Sequence, residues 1–231
     1  MDRQIVTSSP VPPPFSWSSG VRSSFRSSEA NVPVGVMLLG VRVTAYVAIN
    51  LGEHRRREAG GMGAVVDPGL LDRLMDLPVA VPVADPVVWA EMAGQPPGIL
   101  ERGEDAVSVT RRLESPLAIA DVVVQAASGR ELRTVQHASL FAGFTRRWVA
   151  AARGRVPDAA VLEAKLCGVG ILDPSHRVLL AAAKPATLTR DGWSWLLEEK
   201  AYWRWLSGRS GARGMASRCP ATGGARVSGK G

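Results

Sequence analysis

The residues best suited to catalysis lie between Pro157 and Lys165, where Pro-Asp is followed by Glu-Ala-Lys. Two carboxylates can share a divalent cation, and a nearby lysine can orient or activate a water molecule for hydrolysis. An offset of five places Asp158 and Glu163 on opposite faces of a strand, or about 140° apart around a helix. The spacing therefore excludes a metal ion shared by these two carboxylates.

A narrower catalytic alternative uses Glu163 and Lys165 without Asp158. The segment resembles the PD-(D/E)xK motif of Mg²⁺-dependent nucleases, in which the Asp and Glu bind the metal and the Lys acts on water. On a strand, Glu163 and Lys165 would share a face. Asp121, at the head of another apolar run, would then be the substitute metal ligand. The resemblance implies a nuclease with Mg²⁺ as cofactor only if residues 158–167 form a strand.

The composition of residues 158–167 favours a helix instead. Ala, Leu, Glu and Lys are strong helix formers and make up most of the segment. Asp158 is the predicted N-cap, and Gly168 lies near the predicted end. The apolar spacing predicts a buried stripe made of Ala159, Leu162, Leu166 and Val169.

The tryptophans are the most unusual feature of the composition. Four of the chain's seven fall within residues 193–205, inside a helix predicted from Asp191 to Gly208. A helix that is apolar over this width is either deeply buried in its own domain or in contact with a partner. Interfaces favour Trp, Tyr and Arg, so we expect a protein partner or a second copy here. The predicted contact residues are Trp193, Trp195, Tyr202, Trp203, Arg204 and Trp205.

The net charge of +7 is weak support for nucleic-acid binding because of where the charge lies. Residues 37–208 carry 20 basic and 19 acidic side chains, and residues 209–231 carry five basic ones and no acid. A tail with spaced arginines can contact phosphates without sequence preference. Non-specific association of nucleic acid with this tail is therefore a further alternative.

Cysteines, histidines and hydropathy indicate the class of protein. Two cysteines do not form a disulfide framework, and the three histidines lack partners at metal-ligand spacing. The most apolar segment is interrupted by Arg42, which would cost about 3 kcal/mol at the centre of a bilayer. The N-terminus has no apolar signal-peptide core. We expect a soluble, cytoplasmic protein without a membrane span, metal or other cofactor.

The remaining segments predict a mixture of helices and strands. Proline and aspartate mark the starts of two helices, and small or β-branched residues predict strands and a hairpin. Residues 52–63 are charged and Gly-rich and predict a flexible loop. The predicted elements are a strand at 36–50, helices at 67–77 and 85–94, a strand from about 118, a long helix at 134–152 and a hairpin at 168–183.

Together these elements predict one compact α/β or α+β domain at residues 36–208 with a small sheet. Residues 1–35 are Ser/Pro-rich and 209–231 are Arg/Gly-rich, so both are predicted to be disordered tails. No catalytic motif has complete spacing, which favours a non-catalytic role over an enzyme. The predicted function is a protein-interaction module, with the nuclease and the basic tail as alternatives.

Overall fold

A computed structural model describes residues 31–91, 94–95, 98–105, 107–184 and 191–216. Within these residues the chain forms six helices, one six-stranded sheet and one three-stranded sheet. The predicted mixed fold class is confirmed. The predicted disorder is wrong for residues 32–35, which belong to a strand, and for residues 209–216, which belong to a helix. Residues 1–30 and 217–231 lie outside the described part, so for them the predicted disorder stays a prediction.

The elements are named in chain order. They are β1 (Val32–Leu38), β2 (Val41–Ile49), α1 (Leu51–Ala59), α2 (Pro68–Met75), β3 (Pro82–Ala84), α3 (Pro86–Glu91), β4 (Leu100–Arg102), β5 (Ser108–Arg111), β6 (Leu117–Gln125), α4 (Glu131–Ser139), β7 (Arg146–Ala150), α5 (Asp158–Cys167), β8 (Gly170–Leu172), β9 (Val178–Leu180) and α6 (Gly192–Ala216).

The large sheet has the strand order β1-β2-β6-β7-β8-β9. Its first three strands are antiparallel, β7 and β8 continue parallel to β6, and β9 returns antiparallel. Parallel neighbours need crossover connections, which α4 and α5 provide. Side chains of α4, α5 and α6 join one buried cluster with the same face of this sheet. That cluster positions α6 along the sheet.

The predicted strand at 36–50 is a hairpin, since β1 and β2 are separated by a turn at Leu39 and Gly40. Both turn residues have positive φ, 49° and 75°, as a two-residue hairpin turn of type I′ requires. Glycine adopts this conformation without steric cost, which places the reversal here. Val34, Val36 and Leu38 then face the core.

The predicted flexible loop at 52–63 is wrong for residues 52–59, which belong to α1. The Asn50 side chain accepts a hydrogen bond from the Glu53 backbone N–H at 3.2 Å and caps the helix. The buried residues of α1 are Glu53, His54 and Arg57. Because α1 buries charged groups in place of an apolar stripe, hydrophobic spacing does not reveal it.

The predicted helix at 134–152 is also wrong beyond Ser139. Helix α4 ends there, and Arg146–Ala150 forms β7 in the middle of the sheet. Every residue of β7 pairs with β6, and its last three also pair with β8. These long-range backbone pairs override the local helical spacing of the aromatic residues.

The predicted helix at 158–167 is confirmed as α5, but its predicted buried stripe is wrong for Ala159, Leu162 and Leu166, and only Val169 is buried as predicted. Asp158 is the first helical residue, and Gly168 ends the helix with φ 66°. Ala160 and Ala164 face the core, whereas Leu162 and Leu166 are 60% and 76% exposed. Small side chains permit the close packing of α5 on its neighbours, and the larger leucines point outward.

The other helices follow their predicted starts. Asp67 caps α2, and Asp85 accepts backbone hydrogen bonds at the start of α3. The proline-broken segment at 79–83 contributes only β3, an edge strand of the small sheet. Helix α6 continues past its predicted end at Gly208 to residue 216.

Candidate interaction surface

Helix α6 begins at a reciprocal cap. The Ser194 backbone N–H donates to Asp191 Oδ1 at 2.7 Å, and the Asp191 N–H donates to Ser194 Oγ at 3.1 Å. Gly192 lies against α2, where an added Cβ would be 2.9 Å from the Asp72 Cα. The first turn of α6 is therefore held against α2 with no room for a side chain at Gly192.

The inner side of α6 contains two of the predicted contact residues, Trp195 and Tyr202. Both are 1% exposed, so their prediction as partner-binding residues is corrected: they belong to the core. Trp195 Nε1 donates to Glu199 Oε1 at 3.2 Å, one turn further along the helix. The indole ring of Trp195 is buried, and its Nε1–H already has a hydrogen-bond partner. No part of this side chain is therefore available to contact another protein.

An ionic network connects this inner side to α1. Arg57 Nη1 and Nη2 donate to the two carboxylate oxygens of Glu199 at 2.8 and 2.7 Å, and Arg57 Nε donates to Glu53 at 2.7 Å. The Arg57 and Glu199 side chains are both 0% exposed. Burial alone would lower the pKa of Arg57, but the two carboxylates outweigh burial and raise it. The buried Arg57 thus has carboxylate partners on both α1 and α6, and the network stabilises the packing of these two helices.

Trp205 lies between the inner and outer sides. It is half-buried, its ring stacks on Tyr202 with centroids 5.8 Å apart, and it meets His54 edge-on at 4.9 Å. The Arg209 guanidinium lies 4.6 Å from the Trp205 ring centroid. The predicted role of Trp205 in partner binding stays a prediction.

The outer side of α6 presents the remaining aromatic residues to solvent. Trp193 and Trp203 are 59% and 58% exposed, and they are separated by about 15 Å of helix. Lys200 and Arg204 are exposed on the same side, and Arg204 Nε donates to the Gly35 carbonyl at 3.3 Å. We call these four residues the α6 outer surface.

Sequence reasoning named three of these four residues and missed Lys200. Trp193, Lys200 and Arg204 are spaced by seven and four positions, so they lie within about 40° of one another around the helix. That spacing was available in the sequence. The helix contains nine aromatic or basic residues, and no local feature of the sequence distinguishes those on its inner side from those on its outer side.

The catalytic residues of the nuclease alternative are not brought together. Glu163 and Lys165 lie on α5, where two positions correspond to about 200° of rotation, and Lys165 is exposed. The strand that this alternative requires does not form, and the described residues contain no group of three or more His, Cys, Asp or Glu that could hold a metal. This corrects the predicted catalytic set.

Asp121, the third residue of that set, is fully buried in β6. Trp148 Nε1 donates to its Oδ1 at 2.9 Å, and Arg146 Nη2 donates to its Oδ2 at 2.7 Å. Burial raises the pKa of Asp121, while these two donors act in the opposite direction. Both carboxylate oxygens of Asp121 thus accept hydrogen bonds from side chains of the neighbouring strand β7.

Comparison with known proteins adds no assignment. No protein-family model matches the chain, and no curated protein or solved structure is significantly similar to it. Among the described residues, no helix is long and apolar enough to cross a membrane. Most of the predicted nucleic-acid-binding tail lies outside the described residues. The function is therefore inferred from the α6 outer surface.

Proposed function

We propose that this protein is a soluble, cytoplasmic, non-catalytic interaction module that binds a protein partner through the α6 outer surface. The observation that carries the proposal is that two tryptophans, Trp193 and Trp203, each have nearly 60% of their surface exposed to solvent. Tryptophan is the side chain with the largest apolar area to hide from water, about 150–250 Å² when buried. Two exposed indoles on one helix favour a contact surface.

The residues around the indoles support the same function. Arg204 and Lys200 provide cations beside the rings, and Trp and Arg are enriched among the residues that dominate binding energy. A partner with acidic side chains would complement them.

The inner side of α6 makes this surface rigid. The Arg57–Glu199 pair and the buried Trp195 hold the helix to α1 and to the core. A helix that is already ordered loses little conformational entropy on binding, which favours affinity for a given contact area. The surface thus has aromatic anchors, charge and preorganisation.

Site-specific photo-crosslinking in cells tests the proposal. A photoreactive phenylalanine derivative replaces Lys200, which leaves both tryptophans in place, and a matched variant carries it at Arg133. Arg133 is an exposed basic residue on α4, away from the α6 outer surface. We expect discrete crosslinked products at position 200 that Trp203→Ala reduces, and none at position 133.

Two outcomes would contradict the proposal. One is the absence of crosslinked products at position 200 in a chain that folds normally. The other is an equal set of products at positions 200 and 133, which would indicate random collision.

A further inference from the structure

We infer that the partner of the α6 outer surface is a second copy of this chain, with the two α6 helices packed antiparallel about a two-fold axis. This inference rests on the proposed function and names the partner. The observation that carries it is the distribution of charge along the surface: its two ends carry opposite signs.

The end near the start of α6 is acidic. Asp191 is exposed at the cap, and Asp72 is exposed on the adjacent turn of α2, in contact with Gly192. Asp191 precedes Trp193 by two positions, and Asp72 packs against Gly192, the residue directly before this tryptophan. This end of the surface therefore carries two negative charges next to an exposed indole.

The other end is basic. Lys200 and Arg204 are exposed on the same side of the helix as Trp203, three positions before it and one position after it. Both are cations at neutral pH. The surface thus changes from acidic to basic over about 15–20 Å of helix, with one tryptophan at each end.

An antiparallel pair of α6 helices brings opposite charges together at both ends of the surface. Trp193 and Trp203 are each five residues from position 198, so an axis through that point sets Trp193 of one copy near Trp203 of the other. The same operation faces Asp72 and Asp191 with Arg204 of the second copy. A parallel pair would align charges of like sign, at an energetic cost. Two-fold pairing also closes after two copies, so it produces a dimer and no filament.

The available area predicts a weak dimer. The exposed parts of two indoles amount to roughly 300 Å² per copy, whereas a standard interface buries about 800 Å² per partner. Neighbouring residues of α2 and α6 would supply the remainder. We therefore expect an equilibrium between monomer and dimer that depends on concentration and weakens with salt.

Reciprocal charge reversal tests the arrangement with the purified full chain. In the dimer of Asp72→Lys a cation replaces the carboxylate that faces Arg204, and in the dimer of Arg204→Glu a carboxylate replaces the cation that faces Asp72. Each variant alone therefore has like charges in both of these contacts of its own dimer. We expect each to raise the dimer dissociation constant by roughly tenfold or more. An equimolar mixture restores two attractive contacts and should form a heterodimer close to wild-type affinity. Sedimentation velocity and light scattering measure these masses.

Controls separate the interface from folding. Arg133→Glu, on α4, changes the same charge away from the surface and should leave the dimer unchanged. Thermal unfolding of each variant checks that it folds, and recovery on mixing cannot come from misfolded chains. Trp203→Ala provides an independent variant that should also weaken the dimer.

The possible failures are distinguishable. A wild-type chain that is monomeric at every concentration, or a dimer that Asp72→Lys, Arg204→Glu and Trp203→Ala leave intact, overturns the second-copy inference. If position 200 then still crosslinks to another protein in cells, the proposed function stands with a different partner. If position 200 forms no crosslinks and the chain is monomeric, both fail.

Discussion

The guanidinium of Arg57 faces the carboxylate of Glu199 with both Nη atoms, at 2.8 and 2.7 Å from its two oxygens. The residues are 142 positions apart, and neither side chain is exposed. This bidentate geometry, with two parallel N–H···O hydrogen bonds, is the strongest form of the Arg–carboxylate pair. It joins α1 to α6 and, together with the buried apolar side chains of α6, fixes the orientation of the α6 outer surface.

Removal of one partner should therefore destabilise the fold strongly. Glu199→Ala leaves the buried Arg57 guanidinium with Glu53 as its remaining carboxylate, and we expect the free energy of unfolding to fall by about 3–5 kcal/mol. Urea denaturation measures this change. Lys200→Ala, at the next and exposed position, should remain within about 0.5 kcal/mol of wild type. Equal effects of the two substitutions would show that the pair contributes no more than surface charge.

The two sides of α6 predict opposite responses to loss of an indole. Trp195→Ala removes a side chain that is 1% exposed and should lower the free energy of unfolding by about 3–5 kcal/mol. Trp203→Ala, 58% exposed, should change it by less than about 1 kcal/mol and should act on association instead. Chemical denaturation of both variants, measured at a concentration where the chain is monomeric, tests this assignment. A large loss for Trp203→Ala would place it in the core.

Elements with local signals could be predicted from the sequence. Asp67 followed by proline marks the start of α2, and helix formers followed by Gly168 define α5. The buried side of α5 could not be predicted in this way. Periodicity assigns leucines to the core, but here Ala160 and Ala164 occupy it. Which side a helix turns inward depends on the neighbouring element, and the sequence of the helix alone does not contain that information.

Two elements were missed because their stabilising partners are distant in sequence. Helix α1 is stabilised by a partner that follows 142 residues later, at Glu199, and its own mean hydropathy is low. Strand β7 is defined by its two parallel neighbours, β6 and β8. The same limit applied to the α6 outer surface. Its residue types were predicted, while the separation of Trp195 and Tyr202 from Trp193 and Trp203 required the fold.

The two tyrosines of the chain should resist ionisation at alkaline pH. Burial raises the pKa of Tyr46, and the charge of Asp121 raises it further. Burial also raises the pKa of Tyr202, which the nearby Arg57 only partly offsets. The folded chain therefore keeps two protons that the unfolded chain releases above about pH 10. Their contribution to stability is complete below that pH and is lost as the pH rises towards the folded pKa values.

Ultraviolet titration of tyrosinate measures this effect directly. In the folded chain we expect little tyrosinate near pH 10, and its appearance should coincide with alkaline unfolding followed by circular dichroism. Tyr46→Phe and Tyr202→Phe assign the two signals. Ordinary titration near pH 10 in a chain that remains folded would contradict the burial of both hydroxyl groups.

Two strand glycines provide a matched pair for testing packing on the other face of the sheet. A Cβ at Gly170 would overlap the Trp148 ring and lie 2.8 Å from the Ala182 backbone N, whereas a Cβ at Gly35 would have nothing within 4 Å. Gly170→Ala should displace the indole that donates to Asp121 and lower the free energy of unfolding by about 1–3 kcal/mol. Gly35→Ala should be neutral or stabilising by up to about 1 kcal/mol, because alanine restricts the unfolded chain more than glycine does. Chemical denaturation measures the free energy of unfolding of both variants. A Gly170→Ala variant as stable as Gly35→Ala would show that Trp148 does not lie over β8.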